Sequence, residues 1–142
     1  MNISKIGVVG AGTMGSGISQ ICALKGYHVT MQDISEPLLE GGLAVISKSL
    51  DRLLDREKIS AEEKDASIGR IRSTTELATM SDCDLVIEAA TENMDLKTRI
   101  FSELNGLCGP TAILASNTSS LSLTSLASFS GRPGRVIGMH FF

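Results

Sequence analysis

Residues 5–17, KIGVVGAGTMGSG, decide the fold: the short apolar run KIGVVG passes without a break into spaced glycines and then into a helical pattern. Gly10, Gly12 and Gly15 stand in the G-x-G-x-x-G spacing, which by itself says little in a chain with 14 glycines. Its position between a strand and a helix says much more. Gly10 permits the tight turn, Gly12 lets a pyrophosphate touch the backbone, and Gly15 lets the helix pack close to the sheet. Thr13 and Met14 fall in the first helical turn, where free N–H groups and the positive end of the helix dipole favour phosphate. The segment 28–33, HVTMQD, alternates as a second strand and ends on Asp33 near the expected twenty-residue offset. Asp33 is therefore expected to accept hydrogen bonds from the adenosine ribose hydroxyls and to repel a 2'-phosphate. Gln32, Ile34, Ser35 and Glu36 bring no cation to hold such a phosphate, so NAD is expected rather than NADP. A flavin is the other ligand that a turn of this kind accepts.

Outward from this unit, strands and helices alternate. Met14, Ile18, Ile21 and Cys22 make an apolar stripe that predicts a helix ending at Gly26. Ser35 and Pro37 mark the start of a long helix carried to about Arg56 by Leu39, Leu43, Ile46, Leu50 and Leu53, with a basic and polar opposite face. Ser60 and Glu63 predict a capping box for a shorter helix, and 71–74 a small third strand. The continuous apolar run 84–90, DLVIEAA, predicts a strand covered on both faces. Leu96, Ile100 and Leu104 predict a helix over 95–104, followed by a strand at 112–115, a short helix carrying Leu121, Leu123 and Leu126, and a last strand over 135–140. The expected fold is α/β: a doubly wound parallel sheet of six strands, the Rossmann arrangement, in one domain over residues 1–142.

Composition narrows the function. Hydrophobic residues make up 42% and charged residues 20%, which suits a globular chain and supplies no apolar run of membrane-spanning length. A formal charge of −3 gives no basic footprint for nucleic acid. Cys22, Cys83 and Cys108 include no Cys-x-x-Cys pair, and two histidines cannot complete a metal site with them. No metal, nucleic-acid or membrane partner is expected. Three thiols without a signal peptide point to core packing in a reducing cytoplasm.

Four stretches together resemble the 3-hydroxyacyl-CoA dehydrogenases, particularly the short-chain bacterial 3-hydroxybutyryl-CoA dehydrogenases: GAGTMGSG at 10–17, DLVIEAATEN at 84–93, SNTSSL at 116–121 and GMHFF at 138–142. The resemblance implies NAD-dependent oxidation of a 3-hydroxyacyl-CoA in fatty-acid or butyryl-CoA metabolism. His140 matches the family's general base, which takes the proton of the 3-hydroxyl while hydride leaves C3 for the nicotinamide, a task that suits neutral imidazole near pH 7. Ser119 matches the serine that hydrogen-bonds the reacting oxygen. Asn117 shares its loop, although NTSS also reads as a helix cap, with Ser120 the better capping residue. Ala89, Glu92 and Lys97 match positions beside the cofactor, Glu92 and Lys97 near the nicotinamide ribose; apart from that match these two read as solvated helix-end charges. Ser49 and Arg56 resemble positions that contact the CoA of the substrate, with Arg52 and Lys58 as neighbouring cations.

The family pattern continues after His-Phe-Phe with Asn-Pro, an acid that pairs with the histidine, and a helical C-terminal domain, none of which these 142 residues contain. The expectation is the N-terminal domain of a longer, homodimeric enzyme, able to bind NAD but with little turnover alone, since the imidazole lacks the carboxylate that orients it. Two alternatives stay open from the residues: another β-hydroxyacid dehydrogenase, or a non-catalytic nucleotide-binding or structural protein that reuses the fold.

Overall fold

A computed structural model describes residues 2–91, 93–117 and 120–139, with backbone alone at 120–122. Strands β1 (Lys5–Val9), β2 (His28–Gln32), β3 (Ile71–Thr74), β4 (Leu85–Glu88), β5 (Ile113–Ser116) and β6 (Val136–Gly138) alternate with helices α1 (Thr13–Leu24), α2 (Glu36–Asp55), α3 (Ala61–Gly69), α4 (Met94–Leu107) and α5 (Ser120–Phe129). A 3-10 segment, Leu77–Asp82, takes the place of a full helix between β3 and β4. All five strand pairings are parallel, in the order β3-β2-β1-β4-β5-β6. This is the predicted doubly wound sheet, and its order reverses beside β1, where such folds open a crevice at the carboxyl edge.

The period-2 alternation of β1 sorts its side chains between two cores. Ile6 and Val8 pack with Ile18, Cys22 and Ala23 of α1. Val9, on the other face, joins Met80, Val86, Phe101, Leu104 and Leu126 beneath α4 and α5. A third cluster joins Met31 to Leu39, Ile46 and Leu50 of α2. The cysteines are free and buried, as expected of core thiols. Burial pushes the Cys83 thiol up to about 12, which keeps it protonated and inert at neutral pH.

The first helical stripe needs correction. Met14 and Ile21 are 38% and 44% exposed, while Gly15, Ser16 and Ser19 are buried along with Ile18 and Cys22. The start of α1 lies against the Gly10 carbonyl, so small size as well as hydropathy selects its buried face. Leu96 also lies outside, and Lys97 takes the buried position beside Phe101 and Leu104. On α2, Leu38 and Val45 interrupt the expected polar face by lying exposed. Several boundaries move by a residue or two, β4 stopping at Glu88 instead of Ala90. The capping box is present: Glu63 N donates to Ser60 Oγ and Ser60 N to Glu63 Oε1, both at 3.1 Å.

Two long-range latches were not legible in the sequence. Arg132 caps the end of α4, donating to the carbonyls of Asn105, Cys108, Gly109 and Ala112 at 2.8–3.2 Å. Asp84 Oδ2 accepts the backbone N–H groups of Ser4 and Lys5 at 2.9 and 3.0 Å. Those bonds hold the Asp84 carboxyl below its ordinary value of 3.8. A depressed carboxylate stabilises the fold above its unfolded pKa and loses that contribution as pH falls through the folded value. Asp84→Asn should therefore cost about 1 kcal/mol at pH 7, and the gap to the native chain should close as acid titrates the native carboxylate. Urea unfolding at pH 7 and pH 3 checks this; a gap that is constant with pH contradicts it. Among the described residues, no helix is long and apolar enough to cross a membrane.

Candidate functional site

The glycine turn lies at the carboxyl edge of β1, between β2 and β4. Gly10 has φ +115, and a Cβ there would meet the Ala89 carbonyl oxygen at 2.8 Å, so only glycine suits the position. An added Cβ at Gly15 would overlap the Gly10 carbonyl oxygen, which is how α1 comes to start directly at the turn. At Gly12, by contrast, an added Cβ would meet nothing within 4 Å. Gly12 is also the N-cap of α1 and makes no side-chain cap bond, leaving the first-turn N–H groups of Thr13 and Met14 without a capping side chain. The turn thus has space above it and donors beside it. Gly12→Val should keep the native melting temperature and abolish saturable dinucleotide binding, whereas Gly15→Ala should cost about 1–3 kcal/mol of fold stability. Thermal melts with binding titrations separate the two; a normally binding Gly12→Val contradicts the assignment.

On one side of the turn is a cleft of about 310 Å3 whose lining includes Gly10, Asp33, Ile34, Leu77, Arg99 and Ile100. Asp33 ties it to the turn: Oδ2 accepts Ala11 N at 2.8 Å and Oδ1 accepts Ile34 N at 2.7 Å. Each oxygen keeps a lone pair for a further donor. The neighbours of Asp33 in sequence carry no cation, but the fold supplies one, because α4 brings Arg99 into the same cleft.

On the other side a second cleft, about 320 Å3, is lined by Met14, Glu88, Ala89, Thr91, Lys97 and Asn117. Its floor is a buried ionic cluster. Glu88 is 0% and Lys97 4% exposed, with Lys97 Nζ 2.5 Å from Glu88 Oε1. Ser116 Oγ donates to the same oxygen at 2.9 Å, while Ala90 N donates to Oε2 at 2.8 Å. Lys97 is therefore no solvated helix-end charge. In the sequence Glu88 is hidden by the apolar run 84–90 around it; a carboxyl at the carboxyl end of a buried strand is the signal that marks it. Asn117 lies in this cleft with Oδ1 buried and without a hydrogen-bond partner among the described residues.

The remaining candidates stand apart or lie outside the described residues. Glu92, Ser119 and His140 lie outside the described residues, although β6 ends at Gly138, its Ser116–Gly138 pairing putting that end beside the Asn117 loop. Ser49 is half-buried on α2 and Arg56 is exposed at its C-cap. At 1.5 Å of rise per residue, Ser49 stands about 20 Å along the axis from the helix start that adjoins Asp33.

The family model of the 3-hydroxyacyl-CoA dehydrogenase NAD binding domain matches residues 5–142. The chain belongs to that family. It is 46% identical over 137 residues to a probable 3-hydroxybutyryl-CoA dehydrogenase of Deinococcus radiodurans, covering 96% of this chain and 49% of the relative. Against the 3-hydroxybutyryl-CoA dehydrogenase of Bradyrhizobium diazoefficiens it is 44% identical over 139 residues, covering 98% of this chain and 47% of the relative. The crystal structure of (S)-3-hydroxybutyryl-CoA dehydrogenase from Ralstonia eutropha superposes with a TM-score of 0.95 at 48% identity, over 99% of this chain and 50% of that one. The chain thus spans about half the length of the curated relatives it matches.

NAD is the cofactor of this domain family, and the residues fit it. Open space at Gly12 and the uncapped start of α1 suit a diphosphate; the orphaned Asn117 Oδ1 suits a donor on the other half of the dinucleotide.

Proposed function

We propose that the chain is the cofactor half of an NAD-dependent 3-hydroxyacyl-CoA dehydrogenase acting on 3-hydroxybutyryl-CoA. One observation supports this most: the glycine turn separates an apolar cleft anchored by Asp33 from a polar cleft containing Lys97 and Asn117. A dinucleotide has the same plan, two different halves joined by a diphosphate. Gly10, Gly12, Gly15, Thr13 and Met14 would hold the diphosphate, Asp33 the adenosine ribose, and Ala89, Glu92, Lys97, Asn117 and Ser119 the nicotinamide half. NAD supplies the hydride acceptor.

The chain's own residues do the rest. Ser119 hydrogen-bonds the 3-hydroxyl oxygen and His140 Nε2 or Nδ1 takes its proton, a transfer that favours loss of hydride from C3. Lys97 donates to the nicotinamide ribose while Glu88 holds its amine in place. Ser49 and Arg56, with Arg52 and Lys58, meet the CoA end of the substrate along α2. The parent enzyme is a cytoplasmic homodimer, a location that the three free thiols suit. Names of the relatives above support the substrate.

Titration of the purified 142-residue chain with NADH, followed by nicotinamide fluorescence, tests the reading. The expected result is saturable binding with turnover of 3-hydroxybutyryl-CoA about 10^3-fold or more below that of a complete enzyme, because an imidazole without its carboxylate partner loses a factor of about 10^4 in the triad enzymes. Absence of NADH binding would refute it.

A further inference from the structure

We infer that Arg99 and Glu103 select adenine at the far end of the Asp33 cleft, an inference that rests on the NAD reading of the same site. Leu96, Arg99, Ile100 and Glu103 are spaced i, i+3, i+4 and i+7 on α4, so they form one helix face, and all four line this cleft. Across from them Ile34 is 85% exposed, a large apolar side chain left uncovered at the opposite wall. Arg99 and Glu103 are exposed, and neither has a hydrogen-bond or ion-pair partner among the described residues. They stand four apart with the cation on the N-terminal side, the weaker orientation for a helical pair. Both charges are therefore available to a ligand.

The chemistry of the two walls matches a purine with an exocyclic amine. A planar base between them has an apolar face against Ile34 and a guanidinium over its other face, where the ring quadrupole attracts it. Glu103 offers only acceptor oxygens, so it favours a base edge that donates. Adenine presents an amino group on its six-membered ring; hypoxanthine presents a carbonyl oxygen at the same position, which a carboxylate repels. Asp33, holding the ribose at the inner end, would set the direction in which the base projects. The selectivity depends on α4, not on the glycine turn, so a chain can share the turn and lack it.

The test compares NADH with reduced nicotinamide hypoxanthine dinucleotide on the native chain and on Arg99→Ala and Glu103→Gln, by fluorescence titration, with thermal melts to show that these surface variants fold. NADH should bind the native chain about tenfold more tightly than the hypoxanthine analogue, the low end for a hydrogen bond to an exposed charged group. Arg99→Ala should weaken both ligands by about threefold to thirtyfold, the range of a cation–π contact. Glu103→Gln, whose amide donates as well as accepts, should bring the two ligands within about twofold of each other. Equal affinity of the native chain for the two dinucleotides, or NADH binding indifferent to Arg99→Ala, overturns the inference and leaves the NAD reading standing. Failure of the native chain to bind NADH overturns both.

Discussion

Glu88→Gln should destabilise the chain by about 3–5 kcal/mol, the cost of leaving one member of a buried ion pair without its partner. The glutamine fits the space, so the loss comes from charge. Lys97 would remain 4% exposed with no counter-ion at 2.5 Å. For a chain of this size that corresponds to a melting temperature lower by about 10 °C or more. The double variant Glu88→Leu with Lys97→Met should regain most of that stability, since apolar residues of similar volume commonly replace a buried pair without loss. It should not regain NADH affinity, because the cleft floor has lost its amine. Urea unfolding of the single and double variants decides the matter: if the double variant is as unstable as the single one, the pair is not what holds β4, β5 and α4 together.

Asp33→Ala should invert the cofactor preference. In the native chain a 2'-phosphate would meet the Asp33 carboxylate, and like charges brought together cost several kcal/mol, so NADH should bind about 100-fold more tightly than NADPH. Alanine removes that repulsion and also removes the acceptor of Ala11 N, so NADH should weaken. NADPH should strengthen, because Arg99 remains in the cleft as a cation with no ion-pair partner among the described residues. Isothermal titration of both cofactors on both proteins measures the switch. Equal affinities in the native chain, or a variant that weakens equally for both, would show that Asp33 does not set the choice.

These two predictions differ in how far the sequence alone could reach them. Asp33 was legible because it ends a strand at a fixed distance from a glycine turn, and both features are local. Glu88 was not. Its partners Lys97 and Ser116 are 9 and 28 positions away, and they meet only once β4 pairs with β5 and α4 folds over them. The α1 stripe failed for a related reason. Hydropathy nominated Met14 and Ile21, but the buried face at the start of α1 is set by close approach to the Gly10 carbonyl, which Gly15 allows and a longer side chain does not. Arg99 shows the same limit, since no inspection of residues 32–36 could find a cation carried by a helix more than sixty positions downstream.

The chain's own pattern determined the alternation of strand and helix, the parallel sheet and the glycine turn with its acid, because periodicity, turn chemistry and capping act between residues a few positions apart. Tertiary structure alone decided which charges are buried together, which faces of α1 and α4 point inward, and that two unlike clefts flank one turn. Those outcomes depend on strand order and on the shapes of packed surfaces, interactions between distant segments that local pattern does not encode.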